Sequence, residues 1–90
     1  MASQDVAKEA EKEMKRMEKI FQELSLLTHE RAEEFYKFAN NYFTDGKYFF
    51  EKKQYVQAFE AFIISWAYLD IGIKLGMFKP GDLKHFTVEK

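Results

Sequence analysis

Asp70 and Trp66 are the two residues of this 90-residue chain whose types and spacing best suit polar chemistry. They are four residues apart, so on a helix they lie one turn apart on the same face. A carboxylate at the edge of an apolar arc can accept a hydrogen bond from the indole, from a tyrosine or from a cation, and partial burial could raise its pKa toward a proton-transfer role. A purely structural carboxylate accounts for the same pattern. We therefore treat Asp70 and Trp66 as a possible polar site and assign no catalytic residue.

The remaining polar residues do not form a metal or cofactor pattern. His29 and His85 are far apart, and no His-x-x-His, His-Glu-x-x-His or paired Glu-x-x-His spacing occurs. The chain has no cysteine, which excludes disulfides, zinc thiolate sites, iron–sulfur clusters and thiol catalysis. Asp45 falls outside the apolar arc of its segment and is expected to be a solvated carboxylate. We predict no metal, no cofactor and no enzymatic activity.

Charge and hydropathy limit the partners. Fourteen Lys and Arg against fifteen Asp and Glu give a formal net charge of -1, so there is no overall basic field for a phosphate backbone, and we expect no nucleic acid partner. The first residues are charged throughout rather than signal-like, and no continuous run of about 18 apolar residues is present. We expect a cytoplasmic protein that does not enter a membrane.

Three segments with helical periodicity must position these residues. They cover about residues 3–25, 29–52 and 54–76, with Thr28 as the expected cap of the second helix and Gly76 as the residue that ends the third. The connection between the second and third helices is very short, which forces an antiparallel hairpin. We predict an all-α protein, an antiparallel three-helix bundle in a single domain of residues 1–90, with a short C-terminal tail at 77–90 that packs Leu83 or Phe86 onto the bundle.

The hairpin has the spacing of a single tetratricopeptide unit in "GKYFFEKKQYVQAFEAFIIS". The matching positions are Gly46, Phe49, Tyr55, Ala58, Phe62 and Ser65. In such a unit the small residues, here Gly46 opposite Ala58, allow two helices to approach closely. A peptide groove needs about three stacked repeats, so we expect the hairpin geometry without the tandem-repeat function.

A second resemblance covers residues 41–79, "NYFTDGKYFFEKKQYVQAFEAFIISWAYLDIGIKLGMFK". The residues that carry it are Tyr42, Phe43, Asp45, Tyr48 and Phe49, followed by Leu69, Asp70, Gly72 and Gly76. This segment resembles the archaeal domain-of-unknown-function family number 357. The resemblance implies a compact helical bundle from an archaeon and, for some members, fusion to nucleotidyltransferase-like domains. It implies no established activity, catalytic residue or cofactor.

A second apolar stripe on the third helix exceeds what the core of a three-helix bundle needs. Its members are Ile64, Tyr68, Ile71 and Leu75, which we call the α3 stripe. The tail, the first helix or a second chain could cover it, and contiguous exposed apolar surface usually marks an interface. We therefore predict a non-enzymatic protein-interaction module that binds a protein partner or forms a homo-oligomer. The alternative is an accessory or regulatory domain of a nucleotidyltransferase-like enzyme.

Overall fold

A computed structural model describes residues 3–87, with side chains from residue 5 onward, as three helices and a short C-terminal segment. The helices are α1 (Ser3–Glu23), α2 (Ala32–Glu51) and α3 (Tyr55–Lys74). Two short strands, β1 (Ser25–Leu26) and β2 (Phe78–Lys79), pair antiparallel, and a 3-10 turn follows at Leu83–His85. The predicted all-α three-helix bundle is confirmed.

Helix α3 is the central element, because α2 packs along one side of it and α1 along another, whereas α1 and α2 contact each other little. The buried core runs between the three helices and continues into the tail. Its fully or nearly fully buried apolar members are Ala10, Met17, Ile20, Ala32, Ala39, Phe43, Ala58, Ala61, Phe62, Leu69, Met77 and Phe78. Contact with two helices and the tail explains why α3 is the most apolar of the three.

The α2–α3 hairpin closes through a turn of three residues, 52–54. The N–H of Lys53 donates to the carbonyl of Phe50, and the N–H of Gln54 donates to the carbonyl of Phe49. This is the Schellman arrangement that satisfies the last carbonyls of a helix. It places Lys53 in the left-handed region at φ 62°, where a residue with a Cβ is strained.

The helices of the hairpin approach closely at Gly46, as the sequence predicts, but the facing residue differs. A Cβ at Gly46 would overlap the aromatic ring of Phe62 rather than meet Ala58, because the fully buried Phe62 ring lies directly over the Gly46 backbone. One turn further along α3, the buried Ser65 hydroxyl donates to the carbonyl of Ala39 at 2.6 Å. These two contacts hold α2 and α3 in register.

The end of α3 turns the chain back over the bundle. Gly76 has φ 79°, its N–H donates to the carbonyl of Ile73, and the N–H of Met77 donates to the carbonyl of Gly72. The predicted role of Gly76 as the terminating residue is thus confirmed. The chain then enters β2, whose Phe78 is buried and pairs with Leu26.

The predicted helix bounds were too wide, and Thr28 does not cap α2. Ser25, predicted as the last residue of the first helix, lies instead in β1, which pairs with β2 far along the sequence. The helix begins at Ala32, after His29 has accepted a hydrogen bond from the N–H of Arg31 through Nδ1 at 3.0 Å. Arg31 takes the N-cap position without a side-chain cap.

Helix α3 also meets the length and composition requirements of a membrane span. Its most apolar 18-residue window has a mean hydropathy of 1.3, although the sequence contains no continuous apolar run, and 39% of that window is buried in the bundle. The central helix of a bundle passes the same test. The contacts of α3 with α1, α2 and β2 account for the buried part of this apolarity, and the α3 stripe accounts for much of the rest.

Candidate interaction surface

The α3 stripe lies on an outer face of the bundle. Ile64, Ile71 and Leu75 are 41%, 48% and 55% exposed, although each is a large aliphatic side chain. Their spacing keeps them on one narrow side of the helix, the side that points away from Asp70 and Trp66. The structure therefore leaves three of the four predicted interface residues in contact with solvent.

Tyr68, the fourth member, is half-buried because three aromatic rings of α2 surround it. Its ring centroid lies 5.8 Å from Phe35, 5.5 Å from Phe38 and 5.9 Å from Tyr42. We call Phe35, Phe38 and Tyr42 the aromatic row. The row and the α3 stripe together form a continuous apolar surface across α2 and α3, which we call the α2–α3 face.

Phe38 is the functional candidate that the sequence reasoning missed. It is 40% exposed and stands at the outer edge of the aromatic row. The other two members of the row, Phe35 and Tyr42, are half-buried. The signal that could have found this surface is the spacing 35, 38 and 42, because these positions share one side of a helix.

Trp66 lies on the opposite flank of α3, where it binds the tail. The indole N–H donates to the backbone carbonyl of His85 at 2.7 Å. The Phe86 ring stacks on the indole at a centroid distance of 6.5 Å and an interplanar angle of 7°, and the guanidinium of Arg16 lies 5.7 Å from the indole ring centroid. Trp66 therefore joins α1, α3 and the tail.

Asp70 completes this attachment, which we call the tail clamp. The carboxylate accepts from the backbone N–H of Thr87 at 2.9 Å and from its hydroxyl at 2.8 Å, and it forms an ion pair with Lys74 at 3.2 Å. Of the donors foreseen for Asp70, the cation is the one found, since Trp66 donates elsewhere. Burial by itself raises the pKa of Asp70, but the Thr87 hydrogen bonds and Lys74 outweigh it, so the pKa lies below its ordinary value.

This chemistry differs from that of a general acid or base. A proton-transfer carboxylate needs a pKa shifted toward neutrality and an accessible oxygen, whereas Asp70 is 6% exposed and both of its oxygens accept hydrogen bonds. Asp70 and Trp66 lie on the same flank of α3, where each contacts a different residue of the described tail. Their observed role is to hold the tail.

The tail clamp also settles which surface the tail covers. The described tail, residues 77–87, packs Phe86 against Trp66 and buries Met77 and Phe78. The predicted packing of Phe86 onto the bundle is thus confirmed. Ile71 and Leu75 remain about half exposed with this segment in place, so residues 77–87 leave the α3 stripe uncovered.

The other polar candidates are separate from one another. Asp45 is exposed on α2 and lines a shallow groove with Tyr42 and Ile64, whereas His29 precedes α2 and His85 lies in the tail. Within residues 3–87, no group of three or more His, Cys, Asp or Glu side chains is arranged to hold a metal ion. Among the described residues, the polar candidates therefore form no joint site, whereas the apolar residues of the α2–α3 face lie together.

Comparisons with known proteins agree with this architecture. The family model described as "Protein of unknown function (DUF357)" matches residues 6–78. Among solved structures, the chain is similar to protein AF1782 from Archaeoglobus fulgidus, whose crystal structure is assigned to the same family model. The two are 29% identical with a TM-score of 0.75, over 87% of this chain and 96% of the other. A search among curated proteins finds no significant match.

Proposed function

This chain belongs to the DUF357 family of proteins of unknown function, and we propose that it is a non-enzymatic module that binds another protein surface through its α2–α3 face. The observation that supports the proposal most is the exposure of Ile64, Ile71 and Leu75 beside a row of aromatic rings. Burying large apolar side chains is the main favourable term in protein association.

The shape and chemistry of the face favour a helix as the bound element. The α3 stripe has steps of four, three and four residues, the near-heptad spacing with which one helix packs along another. Aromatic residues such as Phe38 and Tyr68 are enriched at the centres of protein interfaces. The α3 stripe contributes three aliphatic side chains and one tyrosine, and the aromatic row contributes three aromatic rings beside them.

Two other predictions find less support. The resemblance of the hairpin to a tetratricopeptide unit stays a prediction. A single helical pair has no concave groove of stacked repeats, so the resemblance supports no peptide-binding function. The alternative role, an accessory domain of a nucleotidyltransferase-like enzyme, also stays a prediction. No described feature favours it over a general binding role.

The proposal is tested with three proteins, the native chain, a double variant and a control variant. Pull-down experiments and measurements in solution compare how each of them associates. Ile71→Glu with Leu75→Glu places two charges in the α3 stripe and should abolish association, whether with a copy of the chain or with another protein, while helicity is unchanged. Val56→Glu is the matched control, because Val56 is 56% exposed on the same helix but lies outside the face. This control should associate as the native chain does.

Two results would count against the proposal. One is association that persists in the double variant with unchanged affinity. The other is unfolding of the double variant and also of the milder Ile71→Gln with Leu75→Gln, because unfolding would assign the stripe to the core.

A further inference from the structure

The spacing of the α3 stripe is compatible with a second copy of the same helix. Its steps of four, three and four residues are the same in both directions along the helix. If a second copy of α3 packs antiparallel to the first, Ile64 of one chain lies opposite Leu75 of the other, and Tyr68 lies opposite Ile71. An isologous two-fold contact needs this kind of self-complementary surface.

The charges at the two ends of the face are complementary under the same operation. Asp45 lies beside Ile64 at one end, where Glu60 also lines the groove. Arg31 lies at the other end of α2, over the ring of Phe35. Arg31 and Asp45 are each seven residues from Phe38, and Phe38 contacts Tyr68 in the middle of the stripe.

We propose that the α2–α3 face binds a second copy of this chain in an antiparallel two-fold arrangement, with the axis crossing both helices near Phe38 and Tyr68. In this arrangement α3 packs on α3 and α2 packs on α2, and Asp45 of each chain faces Arg31 of the other. This inference rests on the proposed function and adds the identity and orientation of the partner.

The overlap of the two copies sets the size of this contact. With the axis near Phe38 and Tyr68, two copies of α2 overlap over about residues 32–44 and two copies of α3 over about residues 64–75. At 1.5 Å per residue these lengths are about 20 Å and about 18 Å, so a contact about 10 Å wide covers roughly 400 Å² per chain. The total of roughly 800 Å² is typical of a weak dimer that forms as the concentration rises.

The arrangement makes a charge-exchange prediction that another partner or orientation would not satisfy. Asp45→Arg places an arginine opposite the native Arg31 of the second copy, and Arg31→Asp places an aspartate opposite the native Asp45. Each single variant has two such like-charge contacts by symmetry, and we expect the dimer to weaken about tenfold. Arg31 also pairs with Glu34 of its own chain, which limits the size of the effect.

The experiment measures dimer dissociation by sedimentation equilibrium for the native chain, both single variants, the double variant and an equal mixture of the two single variants. The double variant restores both opposite-charge contacts, and so does a mixed dimer of the two single variants. Both samples should return to within about threefold of the native dissociation constant. Both substitutions suit the helix, since Asp is a favoured N-cap residue at position 31 and Arg is a good helix former at position 45.

Lys37→Glu is the charge control. Lys37 is exposed on α2 but lies about 100° around the helix from Phe38, so its reversal should leave the dimer unchanged. The inference is overturned if the native chain is a monomer at every concentration, or if neither the double variant nor the mixture restores association. A monomeric chain whose binding to another protein is still lost on Ile71→Glu with Leu75→Glu would retain the proposed function while removing the self-association.

Discussion

The carboxylate of Asp70 accepts two hydrogen bonds from Thr87, one from the backbone N–H and one from the hydroxyl. This contact joins residues seventeen positions apart and fastens the tail to the flank of α3 opposite the exposed stripe. The same helix therefore has one flank that the tail of its own chain covers and one apolar flank that is exposed.

The first prediction concerns the tail clamp. Thr87→Val removes the hydroxyl donor but keeps the backbone N–H, and Asp70→Asn removes the charge that strengthens both hydrogen bonds. We expect Asp70→Asn to lower the free energy of unfolding by about 1–2 kcal/mol, because hydrogen bonds to a charged group are worth more than neutral ones. Thr87→Val should cost less, about 0.5–1 kcal/mol. Urea titration measures both, and equal stability of all three proteins would contradict a stabilising clamp.

The second prediction is that the clamp loosens in acid. The pKa of Asp70 is lower in the folded protein than its ordinary value, so its contribution to stability is fully present above roughly pH 4 and is lost as the pH falls through the folded pKa. The indole N–H signal of Trp66, which reports the hydrogen bond to His85, should shift in this range by NMR. In Asp70→Asn the acid-dependent part of that shift should be absent; an identical titration in both proteins would show that another group controls the tail.

The third prediction concerns the α2–α3 turn. Lys53 adopts φ 62°, where glycine has no steric penalty, so Lys53→Gly should stabilise the protein by about 0.5–1 kcal/mol. Lys52, its neighbour, has φ −83°, and Lys52→Gly is the matched control, which should be destabilising. Thermal unfolding distinguishes the two, and a loss of stability in both variants would rule out strain at Lys53.

The fourth prediction tests the close approach of the hairpin helices. Gly46→Ala should destabilise by about 1–2 kcal/mol, because the added methyl group overlaps the buried Phe62 ring and the gain in helix propensity is smaller. Phe62→Leu alone should also destabilise, by leaving space in the core. In the double variant the smaller side chain makes room for the methyl group, so its loss should be less than the sum of the two. Strict additivity would show that the two residues do not compete for the same space.

The parts of the fold that follow from local periodicity were predictable from the sequence. The three helices, the antiparallel hairpin and the termination of α3 at Gly76 each depend on residues close together in the chain. The strand β1 was not predictable in this way, because its hydrogen-bonding partner β2 lies more than fifty residues later. The start of α2 was misplaced for a local reason: His29 accepts a hydrogen bond from the N–H of Arg31, and the helix begins after it without a cap from Thr28.

The candidate surface was predictable only in part, for a related reason. The α3 stripe is visible as a repeat on one helix, so its four members could be named from the sequence. The aromatic row lies on another helix, and its contact with Tyr68 depends on the register that Ser65 and Gly46 set across the hairpin. The roles of Asp70 and Trp66 likewise depend on where the tail returns. Sequence periodicity gives the faces of single helices but not the way in which they combine.

Light scattering gives the solution mass of the native chain and of Ile71→Glu with Leu75→Glu over the same concentration range. The native chain should approach twice its 10.8 kDa mass as concentration rises, whereas the double variant should stay at the monomer mass with the same helicity. Equal masses for the two proteins at every concentration would contradict self-association through the α3 stripe.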